Sequence, residues 1–279
     1  MAMGKIQCTL LLLFVLGVGR HYSQSPGSFA GGISLTAGDL IRIHGEYPSN
    51  GWSVAGELQL LWQCNADKRW MSERGRPFLG VNCIMVDFGN ADVLGRTFAL
   101  VPQVMRRWSL GTSYFFIRGG LGIGYFNKSY DKNDNPDNLV FGSRFANVSN
   151  LGLGLGCRIG KQHSLEIGGA VIHASNAHVR VPNIGGNVVG LQATWRSGGE
   201  IKPPDPTKTS ADKKEDLHWY PAFQFGYGLH SFPGTVRPIG GPLYSTIGAT
   251  LWMTTRRSTL ADWSAGVHYH YYSAYEQYA

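Results

Sequence analysis

The chain has 279 residues, a formal charge of +7 and a sequence pI near 9.3, with charged residues at 15% and aromatics at 12%. Low charge and many aromatics exclude a disordered chain, and 38 glycines suit an all-β protein with many turns. The positive charge points to an anionic membrane surface or lipid rather than nucleic acid, because there is no long basic run, RNP-like motif or helix-turn-helix pattern.

In chain order, the first element is an export signal. Lys5 precedes an apolar run from Leu10 to Val18, followed by small and polar residues. This is the layout of a secretory signal peptide, which we place at residues 1–24 with cleavage between 18 and 30. The run is shorter than the roughly 20 residues of a spanning helix. Cys8 lies inside the signal, so Cys64, Cys83 and Cys157 remain after it. Their odd number and wide spacing do not make a disulfide framework. They read as small residues on strands.

No later segment is apolar enough for a membrane helix, but strands follow in series. Candidate strands lie at about 39–47, 52–63, 78–88, 96–108, 113–127, 148–160, 163–176 and 186–197, then 219–231, 243–256 and 261–275. In "FIRGGLGIGY", Ile117, Leu121, Ile123 and Tyr125 share one face, opposite Arg118, Gly120, Gly122 and Gly124. In "LGLGLGCRIG", Leu151, Leu153, Leu155 and Ile159 oppose Gly152, Gly154, Gly156 and Arg158. Alternation at period two marks strands. The same glycines do not form a nucleotide-binding GxGxxG, which needs a strand-to-helix turn.

One face is therefore bulky and apolar, the other glycine-rich with an occasional arginine. In a soluble sandwich the apolar face turns inward; in an outer-membrane barrel it meets lipid. One strand does not decide between them. An exported chain with many strands of about 10 residues, rich in Tyr and Trp near their ends, favours the barrel. Short turns such as "GKQH" alternate with long loops such as "NKSYDKNDNPDNLVFGSRFAN". The "DKNDNPDN" piece begins like an EF-hand loop. It has proline where glycine is needed and Gly142 at the place of the closing glutamate, so it reads as a solvated loop. The triplets "NKS" and "NVS" carry no weight. Residues 198–217 form a Pro- and charge-rich linker or long loop, and 218–279 carry the added C-terminal strands. The expected fold is an all-β, antiparallel transmembrane barrel with an eight-stranded core at 38–197. The added strands bring the total to about twelve and leave open whether the barrel closes at eight strands or more.

The strand at 163–176 ends oddly. Leu165, Ile167, Val171, His173 and Ser175 share the bulky face, so a histidine and a serine continue the lipid-facing stripe. On the next strand Asn187, Val189, Leu191 and Trp195 share that face, against Gln192, Thr194 and Arg196. Residues two apart on a strand stand about 6.6–6.8 Å apart and point the same way. An imidazole there reaches a serine hydroxyl and takes its proton as it attacks an acyl carbon. Asn187 is a candidate to orient the ring, and Asn176 to donate its amide to an oxyanion. The plainer alternative is that His173 and Ser175 merely sit at the membrane–water boundary.

"HASNA" followed by "VPNIGGN" resembles the signature of the lipid A 3-O-deacylase family, whose members are also called acyloxyacyl hydrolases. The resemblance covers about residues 38–197, including "GVNCIMVDFGNADVLGRTFALVPQV" and "GGLGIGYFNKSYD". It implies an outer-membrane β-barrel that removes an ester-linked acyl chain from the lipid A of lipopolysaccharide, with its active site outside the barrel. It implies that His173 is the catalytic base, Ser175 the nucleophile and Asn176 an oxyanion residue. The family's acidic partner of the histidine falls at Asn187, a departure that removes its charge. Arg180 and Arg196 are candidates for lipid A phosphates. No metal or other cofactor is implied, and no nucleic-acid partner. The alternatives are a non-catalytic outer-membrane barrel with a structural role, and a small-solute channel, which would need more than eight strands.

Overall fold

The computed structural model describes residues 29–42, 47–64, 75–198, 219–231, 243–256 and 262–273. The export signal and nearly all of the 198–217 linker lie outside these residues. Eight strands close into an antiparallel barrel: β1 (Phe29–Leu40), β2 (Ser53–Gln63), β3 (Phe78–Asp87), β4 (Arg96–Leu110), β5 (Ser113–Phe126), β6 (Phe145–Ile159), β7 (His163–Ser175) and β8 (Gly186–Gly198). β1 pairs with β8 from Ala30↔Gly198 to Leu40↔Val188, which closes the ring.

The first strand corrects the sequence expectation of 39–47, which overlaps β1 only at its end. β1 reads "FAGGISLTAGDL", where Ala30, Ser34 and Thr36 point inward and the bulky outward residues, Phe29, Ile33 and Leu35, lie in its first half. Small residues on both faces blur the period-two signal. At the C-terminus the additional strands are present. β9 (Trp219–Ser231), β10 (Leu243–Arg256) and β11 (Asp262–Tyr272) form their own antiparallel sheet in the order β11-β10-β9. They do not enlarge the barrel, because β1 and β8 already satisfy each other's edges.

Parity falls as the barrel reading requires. Leu151, Leu153 and Leu155 are exposed on the outside of β6, while Gly152, Gly154 and Gly156 face in. The inward glycines make room for large neighbours from β5. A Cβ at Gly152 would meet the Arg118 side chain, and one at Gly156 would overlap the Tyr114 ring.

The interior is packed rather than open. Glu57 accepts from Arg118 (Nη2 to Oε1, 3.0 Å), Gln192 (2.7 Å) and Asn82 (2.7 Å). Nearer the short-turn end, Glu166 accepts from Arg196 (2.8 Å), Arg107 (2.8 Å) and Tyr114 (2.7 Å). Arg196 also donates to Gln59 at 2.9 Å, joining the two groups. Buried charges survive only when paired in this way.

The two ends of the barrel differ. Two of the three connections at one end, 111–112 and 160–162, are tight, and positive φ at Gly111 (72°) and Gly160 (64°) lets the chain reverse there. The opposite end carries the 41–52, 88–95, 127–144 and 176–185 loops. Beneath these loops Leu40, Val86, Phe88, Phe126, Phe141 and Ile172 fill the barrel with an apolar plug, in which the Phe126 and Phe141 rings meet at a tilt, 4.5 Å apart. Long loops mark the external end of an outer-membrane barrel.

Candidate active site

A polar notch interrupts the apolar outer surface just below the long loops. It is built from neighbouring strands by register. His173 of β7 lies opposite Asn187 of β8 and, on its other side, opposite Ser149 of β6. Ser175 lies opposite Asn147. All five share the outward parity and are partly buried, while Leu151, Val171 and Val189 beside them are exposed. Inward neighbours Ile172, Ala174 and Val188 lock into the apolar plug and fix both strands.

His173 Nδ1 lies 2.8 Å from Asn187 Oδ1. A carbonyl oxygen accepts only, so in this arrangement Nδ1 carries the proton and Nε2 keeps its lone pair. That is the tautomer a general base needs. Asn187 orients the ring without supplying a negative charge.

Ser175 Oγ accepts from Asn183 Nδ2 at 2.9 Å and from the Ala177 amide at 3.2 Å. Among the described residues no hydrogen bond joins it to His173. The two side chains nevertheless converge on Gly185. A Cβ there would stand 3.6 Å from Ser175 Cβ and 3.7 Å from His173 Cε1. Gly185 has φ of 77°, and its carbonyl accepts from the buried Tyr47 hydroxyl at 2.7 Å. Catalytic hydrogen bonds are often long in unliganded sites and tighten with substrate.

Asn176 is buried in the loop. Its side-chain amide donates to Ser143 Oγ (3.0 Å) and to the Arg180 carbonyl (2.8 Å), which uses both its hydrogens. Its backbone N–H donates to Asn183 Oδ1 at 3.1 Å. The groups that already point at Ser175 Oγ are the Ala177 N–H and Asn183 Nδ2. Sequence reasoning gave neither a role, although Asn183 and Gly185 both lie in the quoted "VPNIGGN".

Arg180 is exposed on the same loop, near Asp131. The Asn133 and Asp134 amides hold the Asp131 carboxyl below the usual range, and Arg180 adds to this. Arg196 does not belong to the site. It is 2% exposed inside the barrel, bound to Glu166, because its parity on β8 is that of Gln192 and Thr194. Lipid phosphates outside the barrel do not reach it, which corrects the expectation of a substrate contact.

The family described as lipid A 3-O-deacylase (PagL) matches residues 47–196. No curated protein matches the chain. Among solved structures, the outer membrane enzyme PagL is 22% identical, covering 58% of this chain and 97% of its own, with a TM-score of 0.42. Neisserial surface protein A (NspA) is 9% identical, covering 61% and 96%, with a TM-score of 0.40.

Proposed function

Since the chain belongs to the lipid A 3-O-deacylase family, we propose that it is an outer-membrane serine esterase that removes an ester-linked acyl chain from the lipid A of lipopolysaccharide. The main support is the outward placement of His173, its Nδ1 held by Asn187 and its Nε2 without a hydrogen bond among the described residues, two residues from Ser175 on the lipid-facing side. A substrate that stays in its leaflet meets this notch without crossing the barrel wall. Its acyl chains lie along Leu151, Val171 and Val189, and its headgroup rises to the loops, where Arg180 faces its phosphates.

In the reaction, His173 Nε2 takes the Ser175 hydroxyl proton as Oγ attacks the ester carbonyl. Negative charge develops on the former carbonyl oxygen, and the Ala177 N–H and Asn183 amide shift to it from Ser175 Oγ. Asn176 keeps those donors in place by tying the loop to Ser143 and Arg180. His173 then gives its proton to the departing sugar oxygen, leaving Ser175 acylated. Water attacks the acyl group, its proton passes to His173 and back to Ser175 Oγ, and the fatty acid leaves.

The test is mass spectrometry of lipid A from cells carrying this chain or its Ser175→Ala variant. Loss of one acyl chain only with Ser175 intact supports the reading and identifies the bond. Unchanged lipid A in both, with the protein folded in the membrane, would overturn it.

The alternative of a non-catalytic barrel has one observation in its favour, the uncharged Asn187. Asn187→Asp is isosteric and keeps the 2.8 Å contact while adding a carboxylate beside the imidazolium. A charge-assisted bond is about twice as strong as a neutral one. We expect kcat to rise roughly tenfold, from about 1.4 kcal/mol of added stabilisation. A non-catalytic barrel would show no ester cleavage in either form.

A further inference from the structure

The loop that carries the oxyanion donors is held in an unusual way. Ala177 and His178 are consecutive non-glycine residues in the left-handed region, with φ of 53° and 60°. Such a residue is disfavoured and persists only where its surroundings enforce it. This turn aims the Ala177 N–H at Ser175 Oγ, and Val179 N–H closes it on the Asn176 carbonyl at 3.1 Å. A third tie comes from outside the barrel. The Ser231 N–H, at the end of β9, donates to the His178 carbonyl at 2.7 Å. The His178 and His230 rings lie 5.9 Å apart, and Ser231 is 1% exposed. Burial, with the neighbouring His230, holds the His178 imidazole pKa below its ordinary value.

We infer that the C-terminal sheet is a clamp on the catalytic loop, with Ser231 a positioning residue. Its backbone N–H holds the His178 peptide in the left-handed turn that presents the Ala177 N–H to the nucleophile. This deepens the esterase reading and depends on it only for its kinetic consequence. The barrel is closed without the sheet, so the sheet acts on the loop rather than on barrel closure.

β9 is an edge strand, and the Ser231 N–H points away from β10 toward His178. Proline is tolerated at such an outward position. Ser231→Pro therefore removes the donor while sparing the ladder. Ser231→Ala keeps the donor and removes only a hydroxyl that has no partner among the described residues. The experiment uses the full chain in lipid micelles and reads two quantities, hydrogen exchange of the 176–185 segment and ester cleavage of purified lipopolysaccharide.

With Ser231→Pro we expect exchange of that segment to speed up and kcat to fall about fivefold, the worth of one hydrogen bond. KM should stay within about twofold, since no substrate contact is lost. Ser231→Ala should match the unmodified chain in both readouts. In the His178→Gly background the residue that Ser231 holds adopts the left-handed region without enforcement, so adding Ser231→Pro should change kcat by less than about twofold. If Ser231→Pro behaves like Ser231→Ala in exchange, the clamp is wrong. It is also wrong if the proline effect is as large in the glycine background. If no form cleaves the ester, the esterase reading fails, and the exchange data still decide the clamp.

Discussion

His173→Ala and Ser175→Ala should each lower kcat for ester cleavage by roughly 10⁴- to 10⁶-fold, and the double variant should fall no further. In the proposed mechanism both residues serve one proton-transfer step. Without Ser175 there is no oxygen to attack; without His173 the hydroxyl keeps its proton and remains a poor nucleophile. Removing the second partner of a broken unit costs nothing more. The comparison is made on purified proteins in micelles with product followed by mass spectrometry. Losses that multiply in the double variant would mean that the two residues act independently, and the shared step would have to be abandoned. Any residual rate should come from the Ala177 and Asn183 donors, which neither substitution removes.

The second large effect concerns stability. Glu166→Ala should destabilise the barrel by about 3–5 kcal/mol, the usual result of breaking a buried ion pair from one side. Glu166 is 1% exposed and holds two cations, Arg107 and Arg196, with side chains 5% and 2% exposed. Its loss leaves both arginines facing each other without an anion. Arg107 Nε and Nη1 and Arg196 Nη1 already lack partners among the described residues, so little spare capacity remains. The Asp87–Arg96 pair is the contrast. Its side chains are 30% and 55% exposed, and Asp87→Ala should cost at most about 1 kcal/mol. Urea titration of the folded barrel in micelles measures both. Equal midpoints for the two variants would show that the interior network is not what the barrel leans on.

Much of this was legible in the residues. Seven of the eight barrel strands announce themselves by alternation, since a wall between lipid and a packed interior must change chemistry at every residue. The first strand hid because its inward residues are small and its bulky outward ones lie in its first half. The same parity predicted the lipid-facing placement of His173, Ser175 and Asn187. It also set Arg196 on the opposite face, but the positive charge was read as a contact for lipid phosphates, and the structure overturned that reading.

Asn183 and Gly185 were harder to read. They come close to Ser175 through the path of a ten-residue loop, 176–185, and backbone path is not encoded in period or spacing. The Ala177 N–H is harder still, because a main-chain donor leaves no mark in the side-chain alphabet.

Alternation along the chain was enough to read most of the wall: for seven strands, which residues meet lipid and which line the interior, and that a histidine and a serine interrupt the apolar face. These follow from local alternation, a property of neighbours in the chain. The tertiary structure decided the rest. Closure at eight strands depends on β1 meeting β8, a pairing of segments about 160 residues apart in the chain, as in Ser34 and Thr194. The separate C-terminal sheet follows from that closure, since a satisfied barrel offers no edge to join. The ring tautomer of His173, the donors on Ser175 and the hold of Ser231 on His178 all arise between segments that only the closed fold brings together.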